Sequence, residues 1–205
     1  MARSLLDLVF PSSCIVCGEK PKPICLGCRP SPEIGQLAGF GFPVFYAHRH
    51  QGAIEQLISG YKDQQLTSLQ GTLAESVAQL FSRLDFSDVS AVVTPARNTK
   101  NYRKRGFDPA RSIAKSALKL TQVKVPVVNL SNVRDRSDQR GLGREQRAKN
   151  VSGSMRLKVT NLRKVVLFDD VLTTGATISE LARACRDAGV EVVFCCVLAE
   201  RFSKI

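Results

Sequence analysis

Two stretches of this 205-residue chain hold residues that can do chemistry. One reads VVLFDDVLTTGAT, residues 165–177. An apolar run stops at adjacent carboxylates, Asp169 and Asp170, and Val171 leads on to Thr173, Thr174, Gly175, Ala176 and Thr177. Gly175 lets the backbone curl tightly. The N–H groups of such a turn, followed by a helix N-terminus, hold a phosphate, and the threonine hydroxyls add donors. No Walker lysine follows, and GLG at 141–143 lacks the third glycine of a dinucleotide fingerprint, so neither nucleotide motif applies. A phosphate loop beside two acids calls for a ligand with phosphate at one end and hydroxyls, with or without a divalent cation, at the other. A ribose 5-phosphate meets that demand.

The other stretch is CIVCGEKPKPICLGC, with Cys14, Cys17, Cys25 and Cys28 in the spacing C-x2-C-x7-C-x2-C. Each C-x2-C pair forms a knuckle that points two sulfurs at one centre, and two knuckles supply the tetrahedral sulfur cage of zinc. Two disulfides or a redox pair are the alternatives, which a cytoplasmic chain disfavours. An iron–sulfur cluster normally has other spacings. Four protein ligands close the site, so the metal is expected to be structural. Cys185, Cys195 and Cys196 sit in apolar patterns and read as buried hydrophobes.

The net charge of +12 is concentrated. Residues 91–164 hold 19 basic and 4 acidic groups, a net of +15, whereas the flanking segments are slightly negative. Such a field points to a nucleic acid or a highly phosphorylated small molecule. Two basic segments carry it. In TPARNTKNYRKRGFDPA, residues 94–110, Arg97, Lys100, Arg103, Lys104 and Arg105 suit a pyrophosphate. RDRSDQRGLGREQRAKN, residues 134–150, is long and polar, as an active-site lid would be. Only Tyr102 and Phe107 interleave with these runs, and the chain has no Trp, so strong base stacking is hard to build. No run approaches the ~20 apolar residues of a membrane span. SLLDLVF, interrupted by Asp7, reads as a first helix rather than a signal peptide, and the expected location is the cytoplasm.

The elements that must position these groups follow from periodicity. Strands are expected at 42–47, 89–96, 125–130, 164–171 and 190–199, and helices at 53–62, 66–84, 109–121 and 176–189. Pro and Gly through 29–43 suggest a linker ending near Gly39, and His48 and His50 read as surface turn residues. The order of elements and the near-continuous apolar strands predict an α/β fold with a mostly parallel sheet. In such sheets ligands bind beyond the carboxyl ends of the strands.

VVLFDDVLTTGAT resembles the phosphoribosyl pyrophosphate (PRPP) motif of type I phosphoribosyltransferases. The wider arrangement resembles the ComF family, which joins a four-cysteine knuckle to such a domain. Its R-x-R-G-F segment is matched by Arg103-Lys104-Arg105-Gly106-Phe107, and its Q-x7-R-x2-N segment by Gln139 through Arg147 to Asn150. Asp108-Pro109 stands where the family has Asn-Gln. The resemblance implies a type I phosphoribosyltransferase-like fold flanked by helices, with residues 1–38 forming a helix, zinc knuckle and linker and 39–205 the main domain. It implies Asp169 and Asp170, the catalytic pair, on the ribose hydroxyls, and Val171 and Thr173 to Thr177 around the 5-phosphate. Arg97, Arg103, Lys104 and Arg105 would form the pyrophosphate loop, and Gln139, Arg144 and Arg147 a flexible hood. Mg²⁺ would arrive largely with PRPP. The implied activity is phosphoribosyl transfer linked to DNA uptake, with single-stranded DNA or competence proteins as partners. The alternative is a nucleic-acid-binding or adaptor protein with a non-catalytic PRPP site.

Overall fold

Burial on both faces decides the sheet. In the computed structural model, which describes residues 13–20, 23–133, 151–158 and 161–201, the central strands carry apolar side chains on both sides. The elements run β1 (Gly35–Leu37), β2 (Val44–Arg49), α1 (Ala53–Lys62), α2 (Gln70–Phe81), β3 (Ala91–Thr94), α3 (Thr99–Arg105), α4 (Pro109–Lys119), β4 (Val127–Asn129), β5 (Ser131–Asn132), β6 (Met155–Arg156), β7 (Lys164–Leu172), α5 (Ala176–Asp187) and β8 (Glu191–Glu200). Six strands form one sheet in the order β1-β2-β8-β7-β3-β4, parallel except for the antiparallel edge pair β1–β2. The expected mostly parallel α/β sheet is therefore present.

Two cores cover the sheet's faces. Ile54 and Leu57 of α1, Leu73 and Val77 of α2 and Ile113 of α4 pack on one face with Val166 and Phe168. Ile178, Leu181 and Cys185 of α5 pack on the other with Val165 and Leu167. Side chains alternate along a strand, so β7 delivers Asp169 and Asp170 to opposite faces at its carboxyl end. Cys185, Cys195 and Cys196 are fully buried, as hydrophobes would be. The short ribbon β5–β6 is tied to α5 by the buried Glu180, whose carboxylate accepts from the backbone N–H of Gly153 (2.9 Å) and Met155 (2.8 Å).

Three features depart from the sequence reading. β1 lies inside the Pro/Gly stretch expected to be a linker, and pairs Gly35 with Tyr46. α3 lies in the basic run, which has no apolar periodicity. Its ends are set instead by Asn98, whose side chain accepts from Asn101 N (3.0 Å), and by Gly106 at φ 77°. His48 is not a surface turn residue. β2 continues to Arg49 because β8 pairs with it as far as Glu200, so His48 lies opposite Ala199 and is 3% exposed. Burial pushes its imidazole down to about 4, leaving it neutral. His50 follows, half-buried, in the bend after the strand. The expected first helix and the hood segment, with Gln139, Arg144 and Arg147, lie outside the described residues.

Candidate functional site

The carboxyl ends of β3 and β7 and the last turn of α1 enclose a cleft of about 240 Å³. Its lining includes Asp169, Asp170, Val171 and Thr177, together with Lys62, Arg97, Arg105 and Asp108. Asp169 Oδ1 accepts from Asp170 N–H (2.9 Å). Asp170 Oδ1 accepts from Val171 N–H (2.8 Å) and from the Lys62 ammonium (2.8 Å). Burial, and then the neighbouring Asp170 carboxylate, push the Asp169 carboxyl up to about 7. The free cleft thus holds two acids of unequal character: Asp170 is neutralised by a lysine, and Asp169 is poised near neutrality.

The adjoining turn leads directly into the N-terminus of α5. Gly175, the N-cap of α5, adopts φ 79° and brings no side chain of its own to the first-turn N–H groups. Thr174 Oγ1 accepts from Ala176 N–H (3.4 Å), which folds Thr174 back under the turn. Thr173 is exposed, and Thr177, in the first turn of α5, joins turn to cleft. An N-terminal helical turn with an uncapped glycine start is a general anion site.

The basic segment divides. Arg97 and Arg105 line the cleft, whereas Arg103 and Lys104 are exposed on α3 and do not. The Arg97 guanidinium lies 3.9 Å over the Tyr102 ring, which fixes its plane. Arg105 donates to Asp63 (3.2 Å), one residue beyond α1. Asp108 is the N-cap of α4, with Pro109 at the first helical position. Asp108 Oδ1 accepts from Arg111 N–H (3.3 Å) and Oδ2 from the Asn129 amide (2.8 Å), while Asn129 also receives the Arg111 guanidinium. Burial raises the Asp108 carboxyl. Sequence reasoning missed Lys62 and Asn129. No local motif marks either, since Lys62 reaches the cleft, and Asn129 reaches Asp108 on its wall, only through tertiary placement.

Comparison with known proteins assigns the scaffold. Residues 71–205, more than half of the chain, match the family described as "Phosphoribosyl transferase domain". The chain belongs to that family. Competence protein F of Haemophilus influenzae is 30% identical over 110 residues, which is 50% of this chain and 46% of that protein. An adenine phosphoribosyltransferase of Geobacter metallireducens is 54% identical over 37 residues, 18% of this chain and 22% of that one. The chain thus spans less than half the length of these curated relatives. The crystal structure of adenine phosphoribosyltransferase from Leishmania tarentolae aligns at a TM-score of 0.45 with 10% identity, covering 83% of this chain and 100% of that one. The parallel sheet, its cleft and the turn before α5 all lie in or beside the matched phosphoribosyl transferase domain. Lys62 and the four cysteines Cys14, Cys17, Cys25 and Cys28 precede it.

The four cysteines ahead of the phosphoribosyl transferase domain come together. Their sulfurs lie within 4.8 Å of one another, and Cys17 and Cys25 are 3.7 Å apart. A tetrahedron with Zn–S of about 2.3 Å has S···S edges of about 3.8 Å, so the donor set fits that ion. Gly18 N–H donates to Cys14 C=O (2.9 Å) and Cys28 N–H to Cys25 C=O (3.1 Å), which closes each knuckle. Burial pushes the Cys14 thiol up, but backbone N–H donors from Cys17, Cys25 and Val16 outweigh it and bring it down to about 6. The sulfurs of Cys25 and Cys17 push the Cys28 thiol up to about 12. A thiolate forms readily at Cys14, and further ones at Cys17 and Cys28 are disfavoured beside the neighbouring sulfurs; a bound divalent cation would offset that repulsion. Ile15 anchors the knuckle, its Cδ1 occupying the space that a Cβ on Gly60 of α1 would fill.

Proposed function

We propose that this chain is a ComF-type protein that binds PRPP and transfers its phosphoribosyl group, releasing pyrophosphate. The observation that carries this reading is convergence. Asp169, Asp170, Val171, Thr177 and the cations Arg97 and Arg105 line one cleft at the carboxyl edge of a parallel sheet, and the rest of the glycine-started turn, Thr173 to Ala176, precedes Thr177 directly in the chain. In this reading the 5-phosphate sits on the turn, the ribose hydroxyls donate to the two aspartates, and the diphosphate faces the arginines. Charge builds on the leaving diphosphate as the anomeric carbon becomes oxocarbenium-like, so the residues act by positioning and electrostatic stabilisation. The oxygen donors of the cleft suit a hard divalent cation. Mg²⁺ bound with the diphosphate would offset its charge. In the knuckle, Cys14, Cys17, Cys25 and Cys28 would hold a structural Zn²⁺.

Calorimetric titration with PRPP tests this, with and without Mg²⁺, on the wild type and on Asp170→Asn. Mg²⁺-dependent binding, weakened tenfold or more by the substitution, is expected; that is about 1.4 kcal/mol. Absence of binding by the zinc-loaded wild type would sink the reading.

A second reading has its own observation: Arg103 and Lys104 are exposed outside the cleft, in a segment of net +15. With the likeness to a competence protein, this supports single-stranded DNA or a competence protein as a partner of a cytoplasmic chain. No helix among the described residues is long and apolar enough to cross a membrane. DNA affinity that falls steeply with salt and drops in Arg103→Ala/Lys104→Ala would separate this role from PRPP binding.

A further inference from the structure

Three cations line the cleft, and they are engaged differently. Arg105 is paired to Asp63, which is exposed outside the cleft, and Arg97 is stacked on Tyr102. Lys62 touches a cleft carboxylate. Its ammonium lies 2.8 Å from Asp170 Oδ1, with both side chains largely buried, at 23% and 12% exposure. Asp170 Oδ1 also accepts from Val171 N–H, and Oδ2 accepts from none of the described residues. A buried ion pair is a poor device for stability, because desolvation offsets its attraction. This one is placed where a sugar diol and a diphosphate would meet. Lys62 is also the last residue of α1, on a flexible four-carbon stem, while Asp63 beside it holds Arg105 on α3. The end of α1 therefore reaches both walls of the cleft, from outside the matched domain.

We propose that Lys62 is a substrate-positioning residue that exchanges partners. It holds Asp170 in the free protein and turns to the diphosphate when ribose hydroxyls take over Asp170. This rests on the PRPP reading of the cleft and assigns it a residue that the motifs do not contain. In the free state Lys62 sets a positive charge 2.8 Å from Asp170 Oδ1 and so lessens the repulsion that two adjacent carboxylates would offer an incoming polyanion. In the bound state it adds a third positive charge to those of Arg97 and Arg105.

The test compares two ligands that differ in the diphosphate. Zinc-loaded wild type, Lys62→Gln and Lys62→Arg are titrated with PRPP and with ribose 5-phosphate in Mg²⁺, and their melting temperatures are recorded. Gln keeps a donor for Asp170 but no charge. Lys62→Gln is expected to weaken PRPP at least tenfold and ribose 5-phosphate less than threefold, with Lys62→Arg recovering most of the PRPP affinity. Equal losses for both ligands would overturn the proposal, since Lys62 would then serve only to set Asp170. Tighter PRPP binding by Lys62→Gln would overturn it too, making the lysine a plug. If the wild type binds neither ligand, the PRPP reading itself falls, and this proposal with it.

Discussion

The cysteine knuckle and the carboxylate cleft are opposite solutions to building a site. The knuckle draws all its ligands from residues 14–28, and its geometry is closed by hydrogen bonds within that segment. The cleft draws on α1, the loop after β3, α3, the start of α4, β7 and α5. A local chelate can be specified by spacing alone; a dispersed site needs the whole sheet order first. The knuckle should therefore fail as a unit, while the cleft should fail part by part.

The sharpest break in that contrast is at the knuckle. Cys14→Ser or Cys28→Ser is expected to abolish stoichiometric zinc, measured by atomic emission. Zinc-finger peptides derive roughly 10–16 kcal/mol from their metal, so residues 14–28 should lose hydrogen-exchange protection together. Protection in β7 and α5 should persist. If it vanishes as well, the two regions are not separate folding problems.

The cleft's counterpart is an effect of pH. Asp169 has a folded pKa of about 7, against about 3.9 for an unfolded aspartate. The folded state then binds more protons than the unfolded state between those values. Stability is present in full below pH 4 and declines as pH rises towards 7, by at most about 1.4 kcal/mol per unit from this group. Denaturation of wild type and Asp169→Asn across pH 4 to 8 should converge at the acid end and separate towards neutrality, with the variant the more stable. Parallel curves would show that Asp169 titrates normally. Taking the difference cancels His48, which acts oppositely: its contribution is complete above pH 6.5 and lost as pH falls towards 4.

What could be read in advance divides along the same line. The four cysteines, the two aspartates and the Thr173–Thr177 turn are contiguous patterns, so their types and spacing point to their chemistry directly. The strands β2, β3, β7 and β8 and the helices α1, α4 and α5 follow from apolar periodicity. Residues that reach a site through tertiary placement leave no such mark. Lys62 reads as the polar end of an amphipathic helix, and Asn129 as the last residue of a short strand. α3 was hidden because its boundaries are set by Asn98 and Gly106 rather than by an apolar stripe, and β1 because three strand residues sit among prolines and glycines. His48 was misplaced because burial in β2 depends on how far β8 runs alongside it.

The two regions meet at one seam, and loading it sharpens the comparison. Ile15 of the knuckle fills the space over Gly60, two residues before Lys62. Gly60→Leu should cost about 1–3 kcal/mol by overpacking. Ile15→Ala in the same chain should return part of it, a non-additivity expected of residues in contact. A simple sum of the two effects would mean that the knuckle does not lean on α1 there.

The smallest effect concerns Asp108, where the ComF resemblance leads to an expected Asn. Either residue can cap α4 through an oxygen on Arg111 N–H. They differ at the second atom. Asp108 Oδ2 receives the Asn129 amide, whose own oxygen is held by Arg111. An asparagine at 108 would turn an N–H donor towards another donor, at a cost of about 1 kcal/mol. It would also remove a negative charge from a cleft already lined by Asp169 and Asp170. Asp108→Asn is therefore expected to lower the melting temperature slightly while tightening PRPP a few-fold, and Asp108→Ala to lose the cap as well. An unchanged melting temperature in Asp108→Asn would show that Asn129 is free to turn over. Asp rather than Asn at 108 would then have no packing reason, only an electrostatic one.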